Sequence, residues 1–178
     1  MSSRSCSPSP VPPPPEDPPD PGPELEASGT GPLVAALDGM QTCLKRLAGA
    51  DRPPCRGRGE VQRVFGDLAD GTRTHLLKED VMFYPALRHL AAGRPAQVPL
   101  GLHLQGPIEL LREEHAVLLG TLEECFALLE GVGTGLSRPD RQALQAHAAA
   151  LGRALQTHVR LQEENLFPRV LAGAEWVP

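Results

Sequence analysis

The sequence predicts an all-α protein: an antiparallel four-helix bundle preceded by a disordered, Pro-rich N-terminal tail. Three observations carry that expectation. Aromatic residues are only 3% of the 178-residue chain while hydrophobic residues make up 40%, so the core is aliphatic, and abundant Leu, Val and Ala favour helices over an aromatic, β-branched sheet. Four segments repeat apolar residues at helical spacing, with Gly and Pro between them. Half of the twenty prolines fall within residues 1–30.

The tail, residues 1–30, offers only Val11 and Leu25 as sizeable aliphatics. It cannot bury enough apolar surface to offset its ordering entropy, which predicts disorder with polyproline II character. Five acids against Arg4 give it −4 of the formal −5, leaving the remaining residues near neutral. The run Pro12–Pro15 has the form of a ligand for an SH3- or WW-type groove, and also that of a plain solvated tail.

Residues 31–178 form the predicted bundle. The first helix is expected at about 32–48, on Leu33, Leu37, Met40, Leu44 and Leu47, and Arg52-Pro53-Pro54 breaks the chain after it. The second runs over about 60–90, with Val61, Val64, Phe65, Leu68, Leu76, Val81, Met82 and Leu87 on its stripe, before a linker that opens at Gly93 and holds His103. The third, about 107–131, has Pro107 in its first turn and Ile108, Leu111, Leu118, Leu122, Phe126 and Leu129 on its apolar face. The fourth begins with Ser137 as N-cap, Pro139 in the first turn and Asp140 three residues after the cap, and continues through Leu144, Leu151, Leu155 and Leu161 to about 170. Short connections between such helices make neighbours antiparallel.

Composition also excludes classes of function. A net charge of −5 argues against nucleic-acid binding and against a basic membrane surface. No run of about 18 apolar residues is present, so no transmembrane helix is expected, and the N-terminal residues hold no apolar h-region, so no secretory signal is expected. Cysteines at 6, 43, 55 and 125 form no C-x-x-C pair. That pattern reads as reduced thiols of a cytoplasmic protein, some of them in the core. No Ser/His/Asp set, P-loop or dinucleotide fingerprint points to a familiar enzyme class.

All six histidines lie after residue 74. Two belong to a short repeat: His75-Leu-Leu-Lys-Glu79-Asp80-Val-Met-Phe83-Tyr84-Pro85 recurs 83 residues later as His158-Val-Arg-Leu-Gln162-Glu163-Glu164-Asn-Leu166-Phe167-Pro168. In each copy a His is followed at +4 by Glu or Gln, at +5 by an acid, and at +8 to +10 by an apolar residue, an aromatic and a Pro. Residues i and i+4 stack on one helix face about 6 Å apart, so an imidazole and a carboxylate there can share a metal ion. A lone pair of this kind is often a surface ion pair; its doubling points to two helices presenting similar faces to one centre. The Pro lies beyond that turn, where it can end or kink the helix, and Tyr84 and Phe167 are expected to pack beneath the site. His115 follows Leu111 by four and Ile108 by seven, on the apolar stripe, as either a hydrogen-bonded core residue or a ligand. His147 is about 16 Å along the axis from His158, too far to share an ion. His89 and His103 are likewise expected to be surface or packing residues.

The segments HLLKEDVMFYPAL (75–87), GPIELLREEHAVL (106–118) and HVRLQEENLFPRVLAG (158–173) resemble the hemerythrin-like, HHE cation-binding family, and most strongly its branch of di-iron proteins that repair iron–sulfur centres. The resemblance covers about 60–173 and loosely begins at 32. It implies a four-helix bundle holding non-haem iron, with roles in oxygen, nitric oxide or iron handling. It implies His75 and Glu79 as second-helix ligands, His115 as the third-helix ligand and His158 as the fourth-helix ligand. The chain departs from the family in two places. No His occurs before residue 75, where Asp38 and Cys43 are the only nearby donors, and the fourth-helix +4 position is Gln162. Glu163, at +5 and about 140° round a regular helix from His158, is the remaining candidate carboxylate.

The expected ligand set is therefore His75, Glu79, His115, His158 and Glu163. Such a mixed N/O set accepts iron, zinc or manganese, and it suits one ion with an open position for a diatomic or peroxide better than a full dinuclear centre. A redox-active iron there could turn over peroxide or nitric oxide. The alternative is a metal-free helical scaffold that docks partners through its surface or its Pro-rich tail.

Overall fold

Four apolar stripes become four antiparallel rods in the computed structural model, which describes residues 30–49, 57–92, 104–133 and 135–174. The expected tail (except Thr30), the Arg52-Pro53-Pro54 break and the linker with His103 lie outside the described residues. The first rod is α1 (Gly31–Leu47), and it buries Leu33, Leu37, Met40, Cys43, Leu44 and Leu47. The second begins as α2 (Arg58–Lys78) behind Gly57, whose φ of 84° is a left-handed conformation that glycine adopts without strain. The third is α4 (Gln105–Gly133). The fourth begins as α5 (Arg138–Leu161), capped as expected: Ser137 Oγ accepts the Asp140 backbone N–H at 3.3 Å and donates its own hydrogen to Asp140 Oδ2 at 2.6 Å.

The prolines neither end nor break the second and fourth rods. Each rod passes through a π-helical turn, Glu79–Phe83 in one and Gln162–Leu166 in the other. It then resumes as α3 (Tyr84–Ala91) or α6 (Phe167–Ala174). In both turns the closing hydrogen bond spans five residues, from Tyr84 N–H to Glu79 O and from Phe167 N–H to Gln162 O. Pro85 and Pro168 then fall in the first turn of the α-helix that follows, where a missing N–H costs nothing. The inserted residue also shifts the phase of the helix by about 100°. Val81, expected on the buried stripe, is exposed because it lies two residues from buried Glu79, on the opposite side of the rod, and Phe83, four residues after Glu79, is buried instead.

Cross-rod contacts set the register. Arg73 pairs with Asp38, Arg63 with Glu124, and the space beside Gly39 is taken by His147. A Cβ on Gly152 would meet the Phe126 ring. Arg63–Glu124 and His75–His115 run in opposite senses along the second and third rods, as Arg46–Asp140 and Gly39–His147 do along the first and fourth. The core divides into two apolar clusters. A large one contains Met40, Val64, Leu68, Leu118, Leu122, Leu151 and Leu155, and a small one contains Phe83, Ala86, Ile108, Leu111, Phe167 and Val170. At about 1.5–3 kcal/mol per fully buried large side chain, these clusters hold the rods together. Cys43 and Cys125 are free thiols buried in the large cluster.

Candidate metal centre

Between the two apolar clusters lies a polar layer. His75, Glu79, His115, His158 and Gln162 are each 2% exposed or less. Burying three imidazoles, a carboxylate and an amide among aliphatic side chains is costly unless every polar atom has a partner, so the partners reveal what the layer is built for. His75 ends α2, Glu79 opens the first π-helical turn, His158 ends α5 and Gln162 opens the second turn. His115 comes from the middle of α4.

Glu79 is the centre of the layer. Its Oε1 lies 2.8 Å from His75 Nε2 and 3.2 Å from His158 Nε2. The same oxygen accepts an N–H from Gln162 Nε2 at 2.5 Å, and Oε2 accepts the Tyr84 hydroxyl at 3.1 Å. His115 Nε2 stands 3.1 Å from His75 Nε2. The outward ring nitrogens are held by a second tier of carboxylates. His75 Nδ1 lies 3.0 Å from Glu114 Oε2, whose other oxygen pairs with Lys78. His115 Nδ1 lies 3.0 Å from Glu163 Oε1, whose other oxygen accepts from Arg112 Nε at 2.8 Å. Phe167 stacks on the His115 ring, with planes 12° apart and centroids at 5.8 Å.

A carboxylate only accepts hydrogen bonds, so Glu114 and Glu163 each assign a proton to Nδ1 of the imidazole they face. Glu79 likewise draws a proton to His75 Nε2, so without a metal His75 is an imidazolium whose Nε2–H lies between the Glu79 oxygen and the His115 Nε2 lone pair. A metal ion that displaces this proton meets nitrogen and oxygen donors already brought together. Metal–nitrogen bonds of about 2.1 Å bring neighbouring ligand atoms about 3.0–3.4 Å apart, close to the spacings here. One atom each from His75, Glu79, His115 and His158 lies within 4.8 Å of every other. Three imidazole nitrogens and one carboxylate oxygen, each imidazole of the His75–His115 pair backed by an outer carboxylate, fit a bound iron, zinc or manganese ion.

The electrostatics keep Glu79 ionised and make a metal compete with a proton at His75. Burial pushes the Glu79 carboxyl up, but hydrogen bonds and positive charge from His158 and His75 outweigh it and hold the group at about 2. Burial lowers His75, and the neighbouring carboxylates Glu79 and Glu114 reverse the sign, so its pKa is raised. Burial lowers His115 and the other two imidazoles add to the effect, which together outweigh Glu163. Burial, then the Glu79 charge, raise Tyr84 far above an ordinary phenol, so its hydroxyl remains a donor.

Of the five residues expected at the site, the structure brings four together. Glu163 lies behind the His115 ring, on Nδ1, and contributes none of the converging atoms. Asp38 is an exposed partner of Arg73, and Cys43 is a buried core thiol. His147 packs beside Gly39 on the same rod as His158. Sequence reasoning missed the role of Glu114, because nothing in the spacing pairs it with His75 on another rod. It placed Tyr84 beneath the site without foreseeing that the hydroxyl binds Glu79.

A buried three-His, one-carboxylate layer inside an antiparallel helical bundle has the make-up of a cation site. The chain belongs to the hemerythrin HHE cation-binding domain family, whose sequence profile matches residues 33–170. It is similar to the iron–sulfur cluster repair protein DnrN of Neisseria gonorrhoeae, with 28% identity over 115 residues. The match covers 63% of this chain and 66% of that protein, just under two thirds of its length. No solved structure matches the chain. Among the described residues, no helix is long and apolar enough to cross a membrane.

Proposed function

We propose that this protein binds a non-haem metal ion, iron in the first instance, through His75, His115, His158 and Glu79. The observation that carries the reading is the convergence of one donor atom each from His75, Glu79, His115 and His158 within 4.8 Å of one another, with His75 and His115 held at their outer nitrogens by Glu114 and Glu163. Iron held by these residues would supply redox and Lewis-acid chemistry, with a diatomic or peroxide as its candidate ligand. The chain's own residues do the rest. Glu114 and Glu163 orient two imidazoles, Tyr84 holds the distal oxygen of Glu79, and Phe83 and Phe167 keep water from the layer. The relative's name, together with this donor set, supports a role in iron handling, oxygen or nitric oxide sensing, or repair of iron–sulfur centres. A reducing cytoplasm suits the free thiols Cys43 and Cys125.

The test is metal content of full-length protein from iron-supplemented cells, alongside His75→Ala and His158→Ala. Each variant is expected to lose the metal while remaining helical; unchanged content rejects the assignment. A second reading, a metal-free scaffold, is favoured by the hydrogen bonds that already engage both Glu79 oxygens. It predicts no stoichiometric metal in the wild type.

A further inference from the structure

Among the positions at which the two copies of the His-to-Pro repeat differ, two bear on Glu79. At +4 the first copy has Glu79 and the second has Gln162. At +9 the first has Tyr84 and the second has Phe167. Each +4 residue opens a π-helical turn, so the two side chains leave their rods at equivalent points. The Gln162 amide meets the Glu79 carboxylate nitrogen-first, because a carboxylate offers only lone pairs. Its Nε2 donates to Oε1 at 2.5 Å, and Tyr84 donates to Oε2 at 3.1 Å. Gln162 Oε1 is left fully buried without a hydrogen-bond partner among the described residues.

A carboxylate that bridges two ions turns a lone pair of each oxygen toward a different ion, and a two-ion centre also needs enough negative charge to offset both cations. Neither condition is met here. Tyr84 engages one oxygen of Glu79, Gln162 engages the oxygen that faces the imidazoles, and the second-copy carboxylate is replaced by a neutral amide. We propose that Gln162, acting with Tyr84, restricts the centre to one ion by clamping Glu79 as a one-ended ligand and by withholding the second carboxylate. The unpartnered Gln162 carbonyl leaves only a weak, uncharged donor where a charged one would be needed to hold a second cation.

This proposal rests on the metal-binding reading above, and the test separates the two. Anaerobic titration of the full-length protein with Fe(II), and in parallel with Co(II), is expected to saturate at one ion per chain. Gln162→Glu is expected to saturate at two, and adding Tyr84→Phe to it is expected to tighten the second binding step by freeing the other oxygen. A wild type that takes two ions overturns the proposal, as does Gln162→Glu that stays at one. A wild type that takes none overturns the metal reading itself.

Gln162→Glu places a second buried carboxylate beside Glu79, so the metal-free variant is expected to melt lower than wild type and to gain more from added Co(II). An equal gain in the two proteins counts against the proposal. The Mn(II)-loaded wild type supplies a check that needs no variant. Its electron paramagnetic resonance signal is expected to be that of an isolated ion, and the signal of a spin-coupled pair overturns the assignment.

Discussion

Glu163→Gln and Glu163→Ala should weaken metal binding to different degrees without changing how many ions bind. Glu163 touches the site only through His115 Nδ1, at 3.0 Å, with Arg112 at 2.8 Å on its other oxygen. A hydrogen bond to a charged partner is worth about 1.5–3 kcal/mol. The Glu163 side chain is 31% exposed, so solvent screening moves the expectation to the lower end of that range. Alanine removes the bond and frees the imidazole to rotate or change tautomer; the expected loss is about 1.5–2 kcal/mol, or roughly ten- to thirtyfold in affinity. Glutamine keeps an acceptor for Nδ1–H and loses only the charge, for about 1 kcal/mol or less. Arg112→Ala, which cuts a half-exposed ion pair, should cost under about 1 kcal/mol. Competition against a chromophoric chelator, with zinc as the probe, measures all three on the same scale. A direct ligand would behave differently: glutamine would be as damaging as alanine, and the stoichiometry would fall. Either result refutes the assignment of Glu163 to the outer tier.

Two further outcomes follow from packing and charge. Gly152→Ala drives a Cβ to 3.1 Å from Phe126 Cζ and should cost about 1–3 kcal/mol by overpacking. Gly66→Ala and Gly120→Ala meet nothing within 4 Å inside their helices and should each gain about 0.5–1 kcal/mol. Urea denaturation reads these changes, and a stabilising Gly152→Ala would contradict the contact. In the metal-free protein, Glu79 is held at about 2 against an ordinary 4.5, a contribution on the order of 3 kcal/mol. Because the folded value is the lower one, that stability is complete above pH 4.5 and is lost as pH falls towards 2. The stability gap between wild type and Glu79→Gln should therefore shrink steadily on acidification through that window, and a gap independent of pH argues that Glu79 is not ion-paired.

Much of this molecule is legible in one dimension. Helical periodicity is a local property, so the stripes Leu33-Leu37-Met40-Leu44 and Ile108-Leu111-Leu118-Leu122 identify the rods and their buried faces, and Ser137 marks a helix start, without any knowledge of neighbours. The doubled His-to-Pro segment, with its i,i+4 geometry, likewise picks out His75, Glu79 and His158. His115 stood out only as a polar residue on an apolar stripe. The two π-helical turns show the limit of local reading, since no regular period predicts them.

What remained for the tertiary structure was every relation between rods. Glu114 reaches His75 across 39 residues, His158 and Gln162 reach Glu79 across 79 and 83, and Glu163 reaches His115 across 48. The residue types alone leave Glu163 a candidate ligand and Gln162 a mere gap in a ligand set. Register turns the first into the partner of an imidazole's outer nitrogen and the second into a donor on the central carboxylate. The sequence by itself determined the four rods, most of their apolar faces and a short list of donors, because these depend on spacing along one helix. Which atoms meet, and in which protonation state, was decided only when the rods packed, because hydrogen bonds are set by distances between helices that the chain does not encode locally.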